Sequence, residues 1–142
     1  MIIGKMINKA EIAKLIPHSG NMVLIDEVSS WNETEIFCRS NTHRSLDNPL
    51  RANQQLSALN LIEYGAQAVA IHGGLLDSSK AGFLAAIRNA QLFVQRIDQL
   101  NSELIIHATA TIQTDSGVIY QLHLSDTQQQ TLLTAQATII HP

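Results

Sequence analysis

Apolar and polar residues alternate along this chain with two different periods. Over 104–112, Leu104, Ile106, Ala108, Ala110 and Ile112 fall on one side while His107, Thr109 and Thr111 fall on the other. That period of two predicts a strand with one buried face. Val118, Tyr120, Leu122 and Leu124 repeat it against Gln121, His123 and Ser125, and Leu133, Ala135, Ala137 and Ile139 repeat it again. TDSG (114–117) and DTQQQ (126–130) supply turns at hairpin distance. Upstream, MVLIDEVSSW (22–31) and TEIFCRSN (34–41) predict a further hairpin about Asn32-Glu33, and FLAAIRNAQLFVQRI (83–97) predicts a long strand, bent or bulged. Asn8 and Glu11 have the spacing of a capping pair, so a short helix is expected over 9–16, ending at Pro17. Residues 42–53 are polar and aperiodic, and read as a loop.

Between that loop and the later strands the period becomes helical. Leu56, Leu59, Ile62, Ala66 and Val69 share a stripe, and Gly73-Gly74 supplies a stop. About 19 helical residues span roughly 28 Å. The remaining faces are also apolar or small, the pattern of a helix buried on all sides. The order α-β-β-loop-α-β-β-β-β thus gives an α+β fold in which one antiparallel sheet of about six strands wraps a long central helix. That is the hotdog architecture, here a single domain over 1–142. One sheet cannot cover every side of such a helix, so a second subunit is expected over its Ala- and Gly-rich positions.

Composition narrows the possibilities. Only 15% of residues are charged against 45% hydrophobic, in keeping with surface hidden against a partner. The net charge of −3, without a basic patch, excludes nucleic acid as the expected partner. Cys38 is the only cysteine, which excludes an intrachain disulfide and a multi-thiolate zinc site. No two histidines have i,i+4 helical spacing, so no metal is expected. The start, MIIGKMINKAEIAKLI, lacks the apolar core of a signal peptide. The apolar stretch 56–76 carries Asn60, Glu63, Gln67 and His72, which argues against a membrane span. A soluble cytoplasmic protein is expected.

Glu63 is the one formal charge between residues 56 and 76. A carboxyl in apolar surroundings is pushed toward its protonated form, the state of a general acid near neutral pH. Gln67 lies one turn later, in position to orient that carboxyl or a buried water. The bland alternative is that Glu63 only caps or hydrogen-bonds a buried group.

A resemblance sharpens this. AEIAKLIPHSGNMVLIDEV (10–28) resembles the opening of the 3-hydroxyacyl-acyl-carrier-protein dehydratases. IEYGAQA (62–68) is similar to their helix motif and GFLAAIRNAQL (82–92) to the strand that follows it. NPL followed by IEYGAQAVAIHGGL is closer still to the predicted hotdog dehydratases of aryl-polyene-type gene clusters. The resemblance implies dehydration of a 3-hydroxyacyl thioester on acyl carrier protein to the 2-enoyl thioester, with no cofactor beyond the carrier. It implies a loop histidine that removes the α-proton and a helix acid, from the other subunit, that protonates the departing hydroxyl. Glu63 matches the acid. The family histidine lies fourteen residues before the acid, where this chain has Pro49. His43, twenty residues ahead of Glu63, is the candidate base through a loop six residues longer. Asn48 and Gln67 are the candidate supporting residues. His18 belongs to the matching PH dipeptide and is read as shaping chain entry, and His72 as a cation at the helix C-terminus.

The expected assembly is a homodimer, with a heterodimer of paralogues as the alternative. Two other functions stay open on this fold: an acyl thioesterase that activates water with its helix carboxylate, and a non-catalytic subunit supporting an active paralogue.

Overall fold

The structure is a computed structural model and describes residues 6–16, 20–77 and 82–142. In chain order these form β1 (Ile7–Asn8), α1 (Lys9–Ile12), β2 (Glu27–Trp31), β3 (Glu35–Ser40), α2 (Leu61–Leu76), β4 (Phe83–Leu92), β5 (Leu104–Thr114), β6 (Gly117–Ser125) and β7 (Thr131–Ile140). The strands make one antiparallel sheet in the order β1-β2-β3-β5-β6-β7-β4. The seventh strand, beyond the expected six, is the two-residue β1, which pairs Ile7 with Val28.

Local chemistry explains most boundaries. The Asn8 side chain accepts from the Glu11 amide at 3.0 Å, and Glu11 Oε1 accepts from the Asn8 amide at 3.3 Å, a reciprocal cap that opens α1. The helix is shorter than 9–16, and the expected stop at Pro17 lies outside the described residues. Asn32 Oδ1 accepts the amides of Thr34 and Glu35, which bends the chain between β2 and β3. Residues 22–26 were expected in the first strand but are not part of it. Val23, Leu24 and Ile25 are buried, yet the Leu24 amide and carbonyl are taken by side chains, leaving no ladder for a strand.

The inward faces follow the period of two. Leu104, Ile106, Ala108, Tyr120, Leu122, Leu124, Leu133, Ala135 and Ala137 are all buried. Ile112 breaks the pattern, because the β5–β6 register shifts between Ala110 and Ile112 and leaves it 53% exposed. Strand β4 ends before the expected Ile97 and carries two register shifts, one of them around Asn89 at φ +55°. Past it, residues 95–97 turn to the helix entrance, where the Ile97 amide donates to Leu56 O and the Ala58 amide to Gln95 O.

Ser57 caps a 3-10 turn, Ala58–Asn60, that runs directly into α2. The helix passes through Gly73-Gly74 rather than stopping there. A Cβ at Gly74 would sit 3.4 Å from Leu15 O, an ordinary contact with the segment after α1. Leu61, Tyr64, Gly65, Ala68 and Ile71 face the sheet and are buried, with Gly65 so near Leu122 that a Cβ would fall 2.8 Å from its Cδ1. Ile62, Glu63 and Ala66 are only half-buried and Ala70 is exposed. Strand β4, at the sheet edge, is open as well, with Phe83 and Phe93 more than half exposed. Within one chain the helix is therefore covered on one side only.

Two glycines give opposite expectations. A Cβ at Gly117 would lie 2.3 Å from the Ile139 carbonyl oxygen, so Gly117→Ala should cost roughly 1–3 kcal/mol. At Gly73 a Cβ meets nothing within 4 Å, so Gly73→Ala should gain about 0.5–1 kcal/mol of helix propensity. Urea unfolding of both variants checks the order.

Candidate functional site

Residues 41–48, between β3 and α2, form a turn tied down at several points. Asp26 accepts the Asn41 amide at 2.7 Å, and the Arg44 and Ser45 amides close on Asn41 O and Thr42 O to make a 3-10 turn over Thr42–Arg44. Arg51 braces it from the far side, its guanidinium donating to the carbonyls of Ser45, Gln54 and His43.

His43 sits in this turn with no exposed surface. Its Nε2 lies 3.2 Å from Leu100 O, so Nε2 carries the proton and donates. Nδ1 is left as a buried lone pair with no partner among the described residues. Burial pushes the imidazole below its ordinary value near 6.5, the carbonyls of Leu100 and Ser102 oppose this, and Arg44 and Arg51 add to it. The result is a neutral ring with one nitrogen anchored and the other unused.

Glu63 is in the first turn of α2, half-buried on the side away from the sheet. Its sequence neighbour Tyr64 points the other way, into the core. The Tyr64 hydroxyl lies 2.8 Å from Thr42 Oγ1 and accepts from Asn48 Nδ2 at 3.1 Å. Asn48 also donates to Thr42 O and accepts the Leu50 amide, so its amide group serves the loop. Gln67, placed to orient Glu63, instead accepts the Leu24 amide at 2.9 Å and donates to Met22 O at 2.7 Å. Its amide is engaged by two backbone groups of the segment before β2.

Of the other histidines, His141 lies in the lining of a cavity along α2. His72 was expected as a helix C-terminal cation, but it is fully buried and burial pushes it down, toward the neutral form. Its Nε2–H donates to Asn32 O at 2.8 Å and its Nδ1 accepts from the Tyr120 hydroxyl at 2.7 Å. His107 stacks on Phe37 and meets Glu35 at 2.8 Å, and His123 meets Thr131, both on the outer face of the sheet. His18 lies outside the described residues. Among the described residues, no group of three or more His, Cys, Asp or Glu could hold a metal ion.

That cavity, of about 530 Å³, is not at Glu63 or His43. It lies along the C-terminal half of α2, walled by Val69, Ala70, Gly73, Tyr120 and Ile139. The residue that pattern reading passed over is Tyr64. A hydroxyl-bearing aromatic on the inward face of an otherwise aliphatic and small-residue helix was its signal, since a buried phenol needs a partner.

His43 and His72 together set a pH expectation. Both titrate lower folded than in an unfolded chain, where the value is near 6.5. Below that value the unfolded chain binds protons that the folded chain refuses, so stability is fully present above it and declines as pH falls toward the folded values. Urea midpoints should fall between pH 7.5 and 5.5, and a flat profile would contradict the buried, neutral assignment.

The model of the ApeP-like family, described as ApeP dehydratase, matches residues 10–142. Comparison with curated protein sequences finds no match. Among solved structures, the dehydratase heterocomplex ApeI:P from Xenorhabdus doucetiae aligns with a TM-score of 0.80 at 21% identity, over 92% of this chain and 90% of that one. The E. coli PaaI protein from the phenylacetic acid degradation operon aligns at 0.62 and 14%, over 80% and 81%. A hypothetical thioesterase protein with coenzyme A from Streptococcus pneumoniae TIGR4 aligns at 0.62 and 9%, over 81% and 84%. At such identities these structures establish the hotdog fold and no more. The family model reaches from the first helix to the last residue, and the chain belongs to the ApeP-like dehydratases.

Proposed function

We propose that this chain is a subunit of a cytoplasmic dehydratase acting on a 3-hydroxyacyl thioester carried by an acyl carrier protein, in fatty-acid-type or polyketide and polyene synthesis. A base takes the proton from the carbon next to the thioester carbonyl. The electron pair forms the double bond, and the hydroxyl on the next carbon leaves as water with a proton from an acid. Neutral His43 is the base and Glu63 the acid. The observation that carries this reading is the His43 ring itself, neutral, anchored through Nε2–H to Leu100 O, with an unused lone pair on Nδ1. A buried unpaired group of this kind calls for an explanation, and proton abstraction is one. The ring is covered in this structure, so turnover on this reading requires the side chains above it to move aside.

The apolar cavity along α2 supports an acyl chain running from Glu63 toward the helix C-terminus. Val69 to Gly73 lie about 9–15 Å along the helix from Glu63. A second hotdog subunit is supported by two uncovered features, the Ile62–Ala66–Ala70 side of α2 and the edge of β4 with Phe83, Leu84, Leu92 and Phe93. Such a cover also makes the surroundings of Glu63 water-excluded, the setting in which a carboxyl works as a proton donor. The ApeI:P assembly is a heterocomplex, which favours a paralogue over a second copy as that subunit. No described helix is long and apolar enough to cross a membrane.

Dehydration is followed as the absorbance of the conjugated enoyl thioester, with the chain in its dimeric or heterodimeric form. Glu63→Gln keeps shape and removes the transferable proton, so turnover should fall by about 10²–10⁴-fold with the fold intact. Release of free thiol without enoyl product would replace dehydration by thioester hydrolysis. Sedimentation checks the assembly: Ala70→Asp puts a charge on the uncovered helix face and should shift the dimer toward monomer. A dimer indifferent to that charge would move the interface elsewhere.

A further inference from the structure

We propose that Tyr64 is a positioning residue for this reaction, its phenol fixing the turn that carries His43 to the helix that presents Glu63. The proposal rests on the dehydratase reading for its catalytic consequence, and on hydrogen bonds alone for its structural one.

Of the described atoms in contact with the phenol oxygen, Thr42 Oγ1 can accept its proton and Asn48 Nδ2 cannot, and Ser40 Oγ also lies 2.9 Å from Thr42 Oγ1. Thr42 Oγ1–H donates to Leu24 O at 2.7 Å, and Ser40 Oγ–H donates to the second lone pair of the same carbonyl. Thr42 Oγ1 is then an acceptor toward Tyr64, so the phenol O–H donates to it at 2.8 Å. One Asn48 Nδ2–H donates to the phenol oxygen at 3.1 Å, and the other to Thr42 O at 3.0 Å. Tyr64 therefore gives one hydrogen bond and takes one, both within this chain, and its ring is fully buried. Burial pushes its ionisation up, while Thr42 and Asn48 pull against this. A phenol so engaged and so held in its neutral form is not a proton donor to substrate. Its work is to join two pieces of backbone.

Those two pieces are the ones that matter. Thr42 precedes His43, and Tyr64 follows Glu63. One turn further along the helix, Gln67 holds the Leu24 amide, while Ser40 and Thr42 hold the Leu24 carbonyl. Helix α2, the segment at Leu24 and the His43 turn are thus pinned together by directional bonds on both sides of one residue. Apolar packing alone would tolerate a slide of the turn along the helix, because it has no preferred direction. Whether the two reacting groups that meet belong to one chain or to facing subunits, the turn and the helix move as one body.

The test is Tyr64→Phe in the full chain, with its partner subunit present for activity. The ring and its packing remain, and only the link is lost. Misplacement of a reacting group costs turnover, so kcat should fall roughly ten- to a hundredfold with KM little changed. Thr42→Val breaks the same link from the other side and also frees the Leu24 carbonyl, so the double variant should be little worse than Thr42→Val alone. Hydrogen exchange supplies a readout independent of activity. The Arg44 and Ser45 amides, which close the turn, should exchange faster in Tyr64→Phe while the β6 and β7 amides do not. Wild-type kcat and unchanged exchange at Arg44 and Ser45, with only a lower melting temperature, would overturn the proposal and leave Tyr64 as packing. A wild-type complex that forms no enoyl product would sink the dehydratase reading instead, and the exchange comparison would still decide the link.

Discussion

Helix α2 has more apolar surface than one sheet can hide. Leu61, Tyr64, Ala68 and Ile71 are buried against the strands, while Ile62, Ala66 and Ala70 on the other side are not. A straight helix lying on a curved sheet always leaves such a side, and the rest of the molecule is arranged around that shortfall. Two of the uncovered positions, Ala66 and Ala70, are small, and a second body can come close there. The one carboxylate of the helix is among the uncovered positions. The apolar cavity borders the same side at Val69, Ala70 and Gly73. On the proposed function, chemistry and assembly share this surface because a single geometric limit produces both.

Inside the covered half the constraint is different. Burying residues 23–25 without a strand ladder leaves backbone groups that need partners, and each unpaired one would cost on the order of 1–3 kcal/mol. At Leu24 the chain answers with side chains from three elements, Gln67 from the helix, Ser40 from β3 and Thr42 from the turn. Polar groups in a core are expensive unless fully matched, and here they are matched with fixed directions. The same bonds that satisfy Leu24 specify where the helix and the turn must sit.

The sheet was legible because a half-buried strand has to alternate. Leu104 through Ala110 and Leu133 through Ala137 fall inward as their spacing requires. Departures came where long-range pairing overrode local pattern, as at Ile112 beside a bulge and at 95–97, which bonds to the helix entrance instead of the sheet. Gly73-Gly74 read as a stop because glycine lowers helix propensity, but the helix continues through both to Leu76. Glu63 stood out in the sequence by charge alone. Gln67 and Asn48 were visible as polar residues in apolar or loop settings, yet their distant partners were not: Gln67 serves backbone groups 43 and 45 residues away, and Asn48 reaches the Tyr64 hydroxyl 16 residues away. Tyr64 was hidden for a related reason: a tyrosine on an apolar face looks like core until the hydroxyl is given a partner.

The irregularities of β4 bear on how a lone chain behaves in a crowded cell. An open edge strand with exposed Phe and Leu is a template on which further copies can stack without limit, the beginning of a cross-β aggregate. The two register shifts and the left-handed turn at Asn89 interrupt that template after a few residues and twist it out of plane. Only a strand with a matching interruption can dock along its whole length. If the chain joins a second subunit as proposed, the bulges would limit indiscriminate sheet growth at this edge until it does, a solubility device as much as a shape.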